Sequence, residues 1–578
     1  MIRDIHKPVY WKNMELKNGF IRSATNESMA NAQHTPSEKL VLYYEQLAQH
    51  VGLIITGFCY PDPLEIVTKH MLGFTQQSQI KDYRHLCQSV HRKNSKILLQ
   101  IVAGGDHKIK TINDYTTKEL KRLPSLFSKC ACLAELAGFD GIQLHFAHGY
   151  LLSQCLNPNH NHRTDEYQGD ILQRGALCLE ILQAIKASVS KQFHISAKVH
   201  CADFEPGGMT LEESLTFARS LQENGLDSIE ISGGDYRKRK GESYYYHEAI
   251  LYANSLTIPV FCVGGNRDIT TMEKQFKESP LAGFSMSHAL ICEPELPYYQ
   301  QKSSCLTCNQ CYSPSGRCIL QKKEKLMFLS DFDGTLSLGN HIVKEKDIMA
   351  IRAFATSHVF GLISGRDPIS LMQVCQKYHI PYDVLVCFNG ALILDLHGDI
   401  LYEQPITCDI DAFLCDIKRS NAYTYHAVGY HNVCLGYREP LHEASLAFEK
   451  VQFEKFHKVS NISKLDKLYM FTCEFPDEDH ALRYAQHINE VFPALHASAN
   501  KRFIDVTKKG VTKGNVLPFL ASYYDIDNHH IYTIGDSYND IDLIQNSYGF
   551  AIIGNQALMK HAKKCVHDVS EALAFIKN

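Results

Sequence analysis

Two acids, Asp331 and Asp333, stand two residues apart in the run Asp331-Phe332-Asp333-Gly334-Thr335, directly after the apolar stretch Leu326–Leu329. Paired carboxylates at a strand end can divide labour, one as nucleophile and Mg²⁺ ligand, the other as general acid and base. Later segments supply what such a reaction needs. Ser364, in Ile363-Ser364-Gly365-Arg366, and Lys513, in Lys513-Gly514, can hold phosphoryl oxygens. Asp536 and Asp540, in Gly535-Asp536-Ser537-Tyr538-Asn539-Asp540, add hard oxygen ligands. Asp331, Asp333, Asp536 and Asp540 are therefore the candidate Mg²⁺ ligands.

A different chemistry is written into His145-Phe146-Ala147-His148-Gly149-Tyr150. Two imidazoles three residues apart, just past a strand, can point into one pocket and hold a carbonyl oxygen, while the Tyr150 phenol delivers a proton. The same spacing also suits a metal or a pair of structural histidines. A third group is Cys305-x2-Cys308-x2-Cys311-x6-Cys318. Four thiolates this close suit Zn²⁺ or an iron–sulfur cluster, with reduced free thiols as the alternative.

The elements that must position these groups are legible as alternation. Eight apolar runs rich in Val, Ile and Leu read as strands: Phe20–Thr25, Val51–Phe58, Lys96–Val102, Phe139–Ala147, Phe193–His200, Leu226–Gly234, Ile258–Gly265 and Gly283–Ile291. Helical stretches such as Ser37–His50, Thr117–Gly138 and Thr210–Asn224 separate them. Strands alternating with helices pair in parallel, and eight such units in under ~300 residues predict a (β/α)8 barrel of the TIM type with its site at the C-terminal strand ends. A new buried strand begins at Leu326, after the charged bridge Gln321–Lys325, and predicts a second domain with its boundary near residue 322.

Composition narrows the partners. The chain has 578 residues, 45% hydrophobic and 21% charged, with net charge −4. That is the balance of an ordinary globular protein, and it gives no sign of a nucleic-acid partner. No apolar run reaches ~18 residues, so no membrane span is expected. The N-terminus lacks the apolar region of a secretion signal. Most of the 20 Cys sit singly in apolar runs, as buried hydrophobes in a reducing cytoplasm would.

Together the motifs resemble two known families. Ile21-Arg22-Ser23-Ala24-Thr25, Gly52–Gly57, Leu99-Gln100, His145–Leu152, Asn161–Tyr167 and Ser232-Gly233-Gly234 resemble the old yellow enzyme family, over residues 1 to about 311. Its members carry FMN at the barrel mouth and reduce activated C=C bonds with NAD(P)H. Carried over by motif, Ser23, Ala24, Thr25, Gly57 and Gln100 would contact FMN, and Gly233 and Gly234 belong to the same set. Lys198 stands where the family usually has Arg, near the flavin N1–C2=O edge. His145 and His148 would bind the substrate carbonyl, and Tyr150 would protonate the α-carbon. Gly264, Gly265, Ser287 and His288 would face the FMN phosphate.

The chain departs from that pattern in three places. Val102-Ala103-Gly104-Gly105 replaces an HAGR-like segment, the loop from Gly105 to Thr116 is short, and Ser287-His288 replaces a Gly-Arg pair. FMN is still expected to bind, more weakly than usual in that family. The cysteine spacing is similar at its start to the dienoyl-CoA reductase branch, which carries an iron–sulfur cluster, but its later intervals are shorter.

Residues 326–578 resemble the haloacid dehalogenase superfamily. The resemblance implies a Rossmann-like α/β core with its site at the strand ends, Asp331 as nucleophile through an aspartyl-phosphate, Asp333 as acid/base, and an α/β cap inserted between Ser364 and Lys513. The expected division is 1–321 for the oxidoreductase and 322–578 for the hydrolase, with core 322–394 and 498–578 and cap 395–497. Asn389-Gly390 matches the branch's core–cap junction. The favoured reading is a bifunctional enzyme acting on an enone-like acceptor and on a small phosphate monoester. The rival is a phosphatase carrying a non-catalytic flavin-binding or scaffold barrel.

Overall fold

The computed structural model describes residues 3–104, 110–235, 239, 241–299, 301–312, 318, 320, 325–337, 342–438 and 453–577. Gly105 and the bridge residues 321–324 lie outside these. Contacts divide the chain into two compact units, Met1–Lys322 and Lys323–Asn578.

The first unit is the expected barrel. Strands Phe20–Arg22, Leu53–Ile55, Lys96–Ile101, Gly141–Phe146, His194–His200, Ser228–Ser232, Val260–Val263 and Gly283–Met286 pair in parallel, each with the next, and the last closes on the first. Nearly every residue in them is buried, because one face packs the barrel interior and the other the helical ring. The helices start where the sequence offers caps. Ser37 accepts from Leu40 N–H ahead of Glu38–Leu47, and Thr210 forms a capping box with Glu213 ahead of Leu211–Glu223.

Two expected elements come out differently. The helical stretch Thr117–Gly138 is two helices, Thr117–Leu120 and Leu123–Ala137, because Pro124 sits in the first turn of the second. The eighth apolar run ends as a strand at Met286, and His288–Cys292 is a short helix.

A hairpin, Val9–Trp11 with Met14–Leu16, closes the barrel floor. Trp11 stacks on Phe261 at 4.9 Å and joins Ile21, Leu53, Ile55 and Leu98 in one buried cluster. Truncating a side chain buried this fully costs about 3–5 kcal/mol. The hairpin therefore leaves the opposite end of the barrel as the open one.

The second unit has two layers of sheet. Its core sheet runs Ile400–Glu403, Leu392–Asp395, Val384–Cys387, Val359–Ile363, Met327–Ser330, Ile531–Gly535, Tyr548–Ile552 and Lys564–Val566. The six strands from Val384–Cys387 onward in that order are parallel. Met327–Ser330 lies in the middle and ends at Asp331. The cap is a separate six-stranded sheet, including Thr424–Val428, Met470–Glu474 and Phe503–Lys508, backed by helices Asp411–Arg419 and Glu478–Val491.

The cap limits differ from 395–497 at both ends. Ile400–Glu403 pairs in the core sheet, and Leu495–Asn500 and Phe503–Lys508 pair in the cap sheet. The outward crossing is abrupt. Gln404 N–H bonds Ala391 of the core and Ile406 N–H bonds Leu468 of the cap, each at 2.7 Å, with Pro405 alone between them.

Candidate functional site

The barrel mouth gathers its polar residues into two groups. The first is a buried chain of hydrogen bonds across the strand ends. Gln100 Nε2 donates to Gln143 Oε1 at 2.7 Å, Gln143 Nε2 donates to Glu230 Oε2 at 3.0 Å, and Ser23 Oγ donates to Glu230 Oε1 at 2.7 Å. Lys198 Nζ donates to Ser23 Oγ at 2.9 Å and lies 3.5 Å from Glu230 Oε2. Beside it, Arg22 is fully buried and pairs with Glu27 at 2.9 Å. Tyr44 links Glu27 to Gly57, donating to the carboxylate at 3.0 Å and accepting the Gly57 N–H at 2.9 Å.

The second group is aromatic. The ring of His145 lies 5.2 Å from that of His148 and 5.1 Å from that of Tyr150. His148 holds a left-handed φ of 64°, its N–H donates to His200 Nε2 at 2.8 Å, and its Nε2 contacts Ser232 Oγ at 2.9 Å. Burial, and then the Lys198 charge, hold both imidazoles well below the usual histidine range, so both are neutral donors and acceptors. The buried Nδ1 of His145 has no hydrogen-bond partner among the described residues. A Phe58–Tyr60–Met71–Val102 cluster lies against Tyr150.

These features fit a flat, polar-edged cofactor. An orphaned imidazole nitrogen, a buried cation and a carboxamide face the same mouth. A Cβ on Gly57 would fall 2.7 Å from Thr25 O, so that backbone has no room for a side chain. Gly264 and Gly265 have φ of 117° and 74°, with Tyr244 ring atoms 2.5 and 2.7 Å from where a Cβ would stand. Such a turn leaves backbone N–H groups available to an anion.

The remaining residues are placed less uniformly. Thr25 Oγ1 contacts Ser287 Oγ at 2.8 Å, and Ala24 packs against the floor cluster. Gly233 is closed in by Cys201, Phe204 and Tyr245, and Gly234 adopts φ 45°. His288 turns elsewhere. It lines a small cavity together with Cys305, Cys308, Cys311 and Cys318. Burial and the neighbouring thiols push Cys311 up to about 11, and Thr307 N–H points at Cys305 Sγ at 3.5 Å. All four cysteines thus line one space, although no three of their sulfurs converge within 4.8 Å among the described residues.

The hydrolase site is built from charge. Lys513 Nζ is buried between Asp331 Oδ1 at 2.7 Å and Asp540 Oδ1 at 2.6 Å. Oxygens of Asp331, Asp536 and Asp540 lie within 4.8 Å of one another, a hard-oxygen set that fits Mg²⁺. Burial first, and then the other two carboxylates, push Asp331 well above the carboxylate range, and Lys513 pulls it back. Asp540 accepts the N–H groups of Asp536 and Ser537 at 3.1 Å each, and Thr335 Oγ1 donates to Asp536 at 3.0 Å.

The side chain of Asp333 is not part of this set. Arg366 holds it in a two-point contact, 2.6 Å for each bond. Ser364 is buried and accepts the Arg366 N–H at 3.2 Å. From the cap, Asp505 accepts from Asn389 Nδ2 at 2.9 Å. Glu230, Gln143, Asp505 and the Arg366 clamp escaped the sequence reading. The signal for the first two was a polar residue alternating with apolar ones inside a strand.

Comparisons with known proteins assign a family to each unit. Residues 4–116 and 108–304 match the NADH:flavin oxidoreductase / NADH oxidase family, and residues 328–574 match the haloacid dehalogenase-like hydrolases. An NADH oxidase of Thermoanaerobacter brockii is 28% identical over 338 residues, 51% of this chain and 51% of the relative. An NADPH dehydrogenase of Bacillus subtilis is 28% identical over 254 residues, 40% of this chain and 74% of the relative. The match thus spans about half the length of the first of these relatives. A solved 2-naphthoyl-CoA reductase in complex with 2-naphthoyl-CoA shares the fold, with TM-score 0.51, 17% identity and coverage of 67% of this chain and 74% of that one. Among the described residues no helix is long and apolar enough to cross a membrane. The chain belongs to the NADH:flavin oxidoreductase / NADH oxidase family and carries a haloacid dehalogenase-like hydrolase unit in the same polypeptide.

Proposed function

We propose that the chain is a bifunctional enzyme, with an NAD(P)H-dependent ene-reductase site in residues 1–321 and a phosphomonoesterase site in residues 322–578. FMN, when bound, supplies the electron pair that reduces an electron-poor C=C bond. Ser23, Ala24, Thr25, Gly57, Gln100 and Lys198 would hold its ring system, and Gly233, Gly234, Gly264, Gly265 and Ser287 its tail. Neutral His145 and His148 donate N–H to the substrate carbonyl oxygen, which draws electron density from the β-carbon. Tyr150 gives its phenolic proton to the α-carbon. The orphaned Nδ1 of His145, beside Tyr150, carries this reading. His288 is reassigned to the cysteine cavity, where Cys305, Cys308, Cys311 and Cys318 would hold Zn²⁺ or an iron–sulfur cluster.

In the second unit Asp331 attacks phosphorus and forms an aspartyl-phosphate, while the leaving oxygen takes its proton from Asp333. Water then attacks the acyl phosphate and gives its proton back to Asp333. A carboxylate clamped by Arg366 is disposed to the accepting role, so donation requires its release from the guanidinium. Lys513 and Ser364 hold phosphoryl oxygens. Mg²⁺, held by Asp331, Asp536 and Asp540, would neutralise the charge they bring together. The substrate is a small phosphorylated metabolite.

One purified sample tests both halves. We expect a yellow protein whose visible absorbance is bleached by NAD(P)H and restored by an enone. The same sample should hydrolyse para-nitrophenyl phosphate with Mg²⁺ and stop when the metal is chelated. A colourless protein that still hydrolyses the ester would favour the scaffold-barrel reading, to which the departure of His288 from the mouth lends weight.

A further inference from the structure

The barrel holds a carboxylate that the proposed chemistry does not use. Glu230, in strand Ser228–Ser232, has no exposed surface, and Gln143, in strand Gly141–Phe146, has none either. Glu230 accepts from Ser23 and Gln143, and the ammonium of Lys198 is 3.5 Å away and hydrogen-bonded to the same serine. Lys198 therefore arrives at the mouth already paired.

We propose that Glu230 is the counter-ion that sets how much positive charge Lys198 presents to the flavin, and thereby the potential at which this protein's flavin takes up electrons. The inference rests on the flavin reading of the barrel. A carboxylate only accepts hydrogen bonds, so Glu230 turns the amide of Gln143 toward itself, and Gln143 in turn commits Gln100 Nε2. One buried acid thus fixes both the cation and the carboxamide at the mouth. Glu230 touches no reacting atom and acts through its neighbours, so it is a positioning residue.

Reduction places negative charge on the flavin edge that a cation favours. The Lys198–Glu230 pair carries no net charge, and burial leaves little water to screen either member. Removing the acid alone leaves a buried positive charge facing the flavin. Removing the lysine alone leaves a buried negative one. Removing both restores neutrality. If Glu230 only filled space in the barrel, the sign of the remaining charge would not matter.

The test is the midpoint potential of the FMN-loaded full chain, measured anaerobically against a reference dye, for the parent, E230Q, K198M and the double variant K198M/E230Q. E230Q should shift the equilibrium toward reduced flavin by at least tenfold, which is about 30 mV for a two-electron couple. K198M should shift it by a similar amount the other way. The double variant should return to within about twofold of the parent, the usual scatter of additive effects. A yellow E230Q protein whose potential is unchanged or lowered overturns the proposal and leaves the flavin reading standing. If E230Q does not fold, the double variant decides, since it must lie above K198M. A chain that takes up no flavin, seen as no visible absorbance, overturns both.

Discussion

The two sites solve opposite electrostatic problems. At the barrel mouth the imidazoles of His145 and His148 are neutral, and Lys198 is balanced by the buried Glu230. In the hydrolase unit three carboxylates lie together beside Lys513, and burial opposes the charge of Asp331 and Asp536. The barrel is arranged to hold something that does the chemistry. On the proposed reading the hydrolase unit supplies its own nucleophile, Asp331. A protein can therefore be disabled in one unit by removing a single atom group and in the other only by degrees.

That contrast is sharpest for Asp331. Asp331→Asn keeps the shape of the carboxylate but cannot form an acyl phosphate, and should lower phosphatase turnover more than about 10³-fold, as nucleophile loss does elsewhere. Flavin reduction should be untouched. Arg366→Met removes the two bonds that orient Asp333 as the acceptor of the water's proton, and should cost about 10–100-fold, the worth of hydrogen bonds to a charged group. Para-nitrophenyl phosphate hydrolysis measures both, and survival of activity in the Asn variant would end the assignment.

Tyr150→Phe probes the barrel. General-acid catalysis is worth roughly 10²–10⁴-fold, and the phenol acts only on the substrate. Enone reduction should slow by that order while reduction of the flavin by NAD(P)H stays near the parent rate. Stopped-flow traces with equal losses in both half-reactions would remove Tyr150 from the mechanism.

The smallest expected effect is on stability. In the barrel, burial pushes His194 down to about 4, and in the hydrolase unit burial pushes Asp505 up to about 6. Below pH ~6.5 an unfolded histidine takes a proton that folded His194 refuses, so this contribution to barrel stability is lost as pH falls toward 4. Asp505 works the other way. Its contribution is present below pH ~3.9 and is lost as pH rises through 6. Between pH 7 and 5 the barrel's calorimetric transition should fall relative to that of the hydrolase unit, by about 2–4 °C for each kcal/mol. Asp505→Asn should abolish the hydrolase share of that divergence. Transitions that move together would show that other groups dominate.

Much of this was written in the sequence, and the failures share a cause. The eight barrel runs stood out because strands buried on both faces are continuously apolar. At Met286 strand gives way to helix at the polar pair Ser287-His288, and two polar residues inside an otherwise apolar run are too few to show the new period. The alternating run Phe503–Lys508 reads as a strand, but nothing local says which sheet it joins, so the cap limit was misplaced. Candidates at strand ends inside contiguous motifs, such as Asp331 and His145, are legible locally. Glu230, Gln143 and Arg366 carry no local signal of a role because their side-chain partners lie 32 to 207 residues away and only folding brings them together.

The crossing at Pro405 has a mechanical consequence. Proline fixes its own φ near −65° and restricts the residue before it, so this one-residue passage between core and cap is a stiff pivot, not a loose tether. The return passage is also short, with four residues separating the last cap strand, which ends at Lys508, from Lys513. Four residues reach at most ~14 Å when fully drawn out. A cap turning about Pro405 therefore pulls directly on the segment that carries the lysine joining Asp331 to Asp540. The orientation of the cap and the placement of the buried Lys513 ammonium are two ends of one lever.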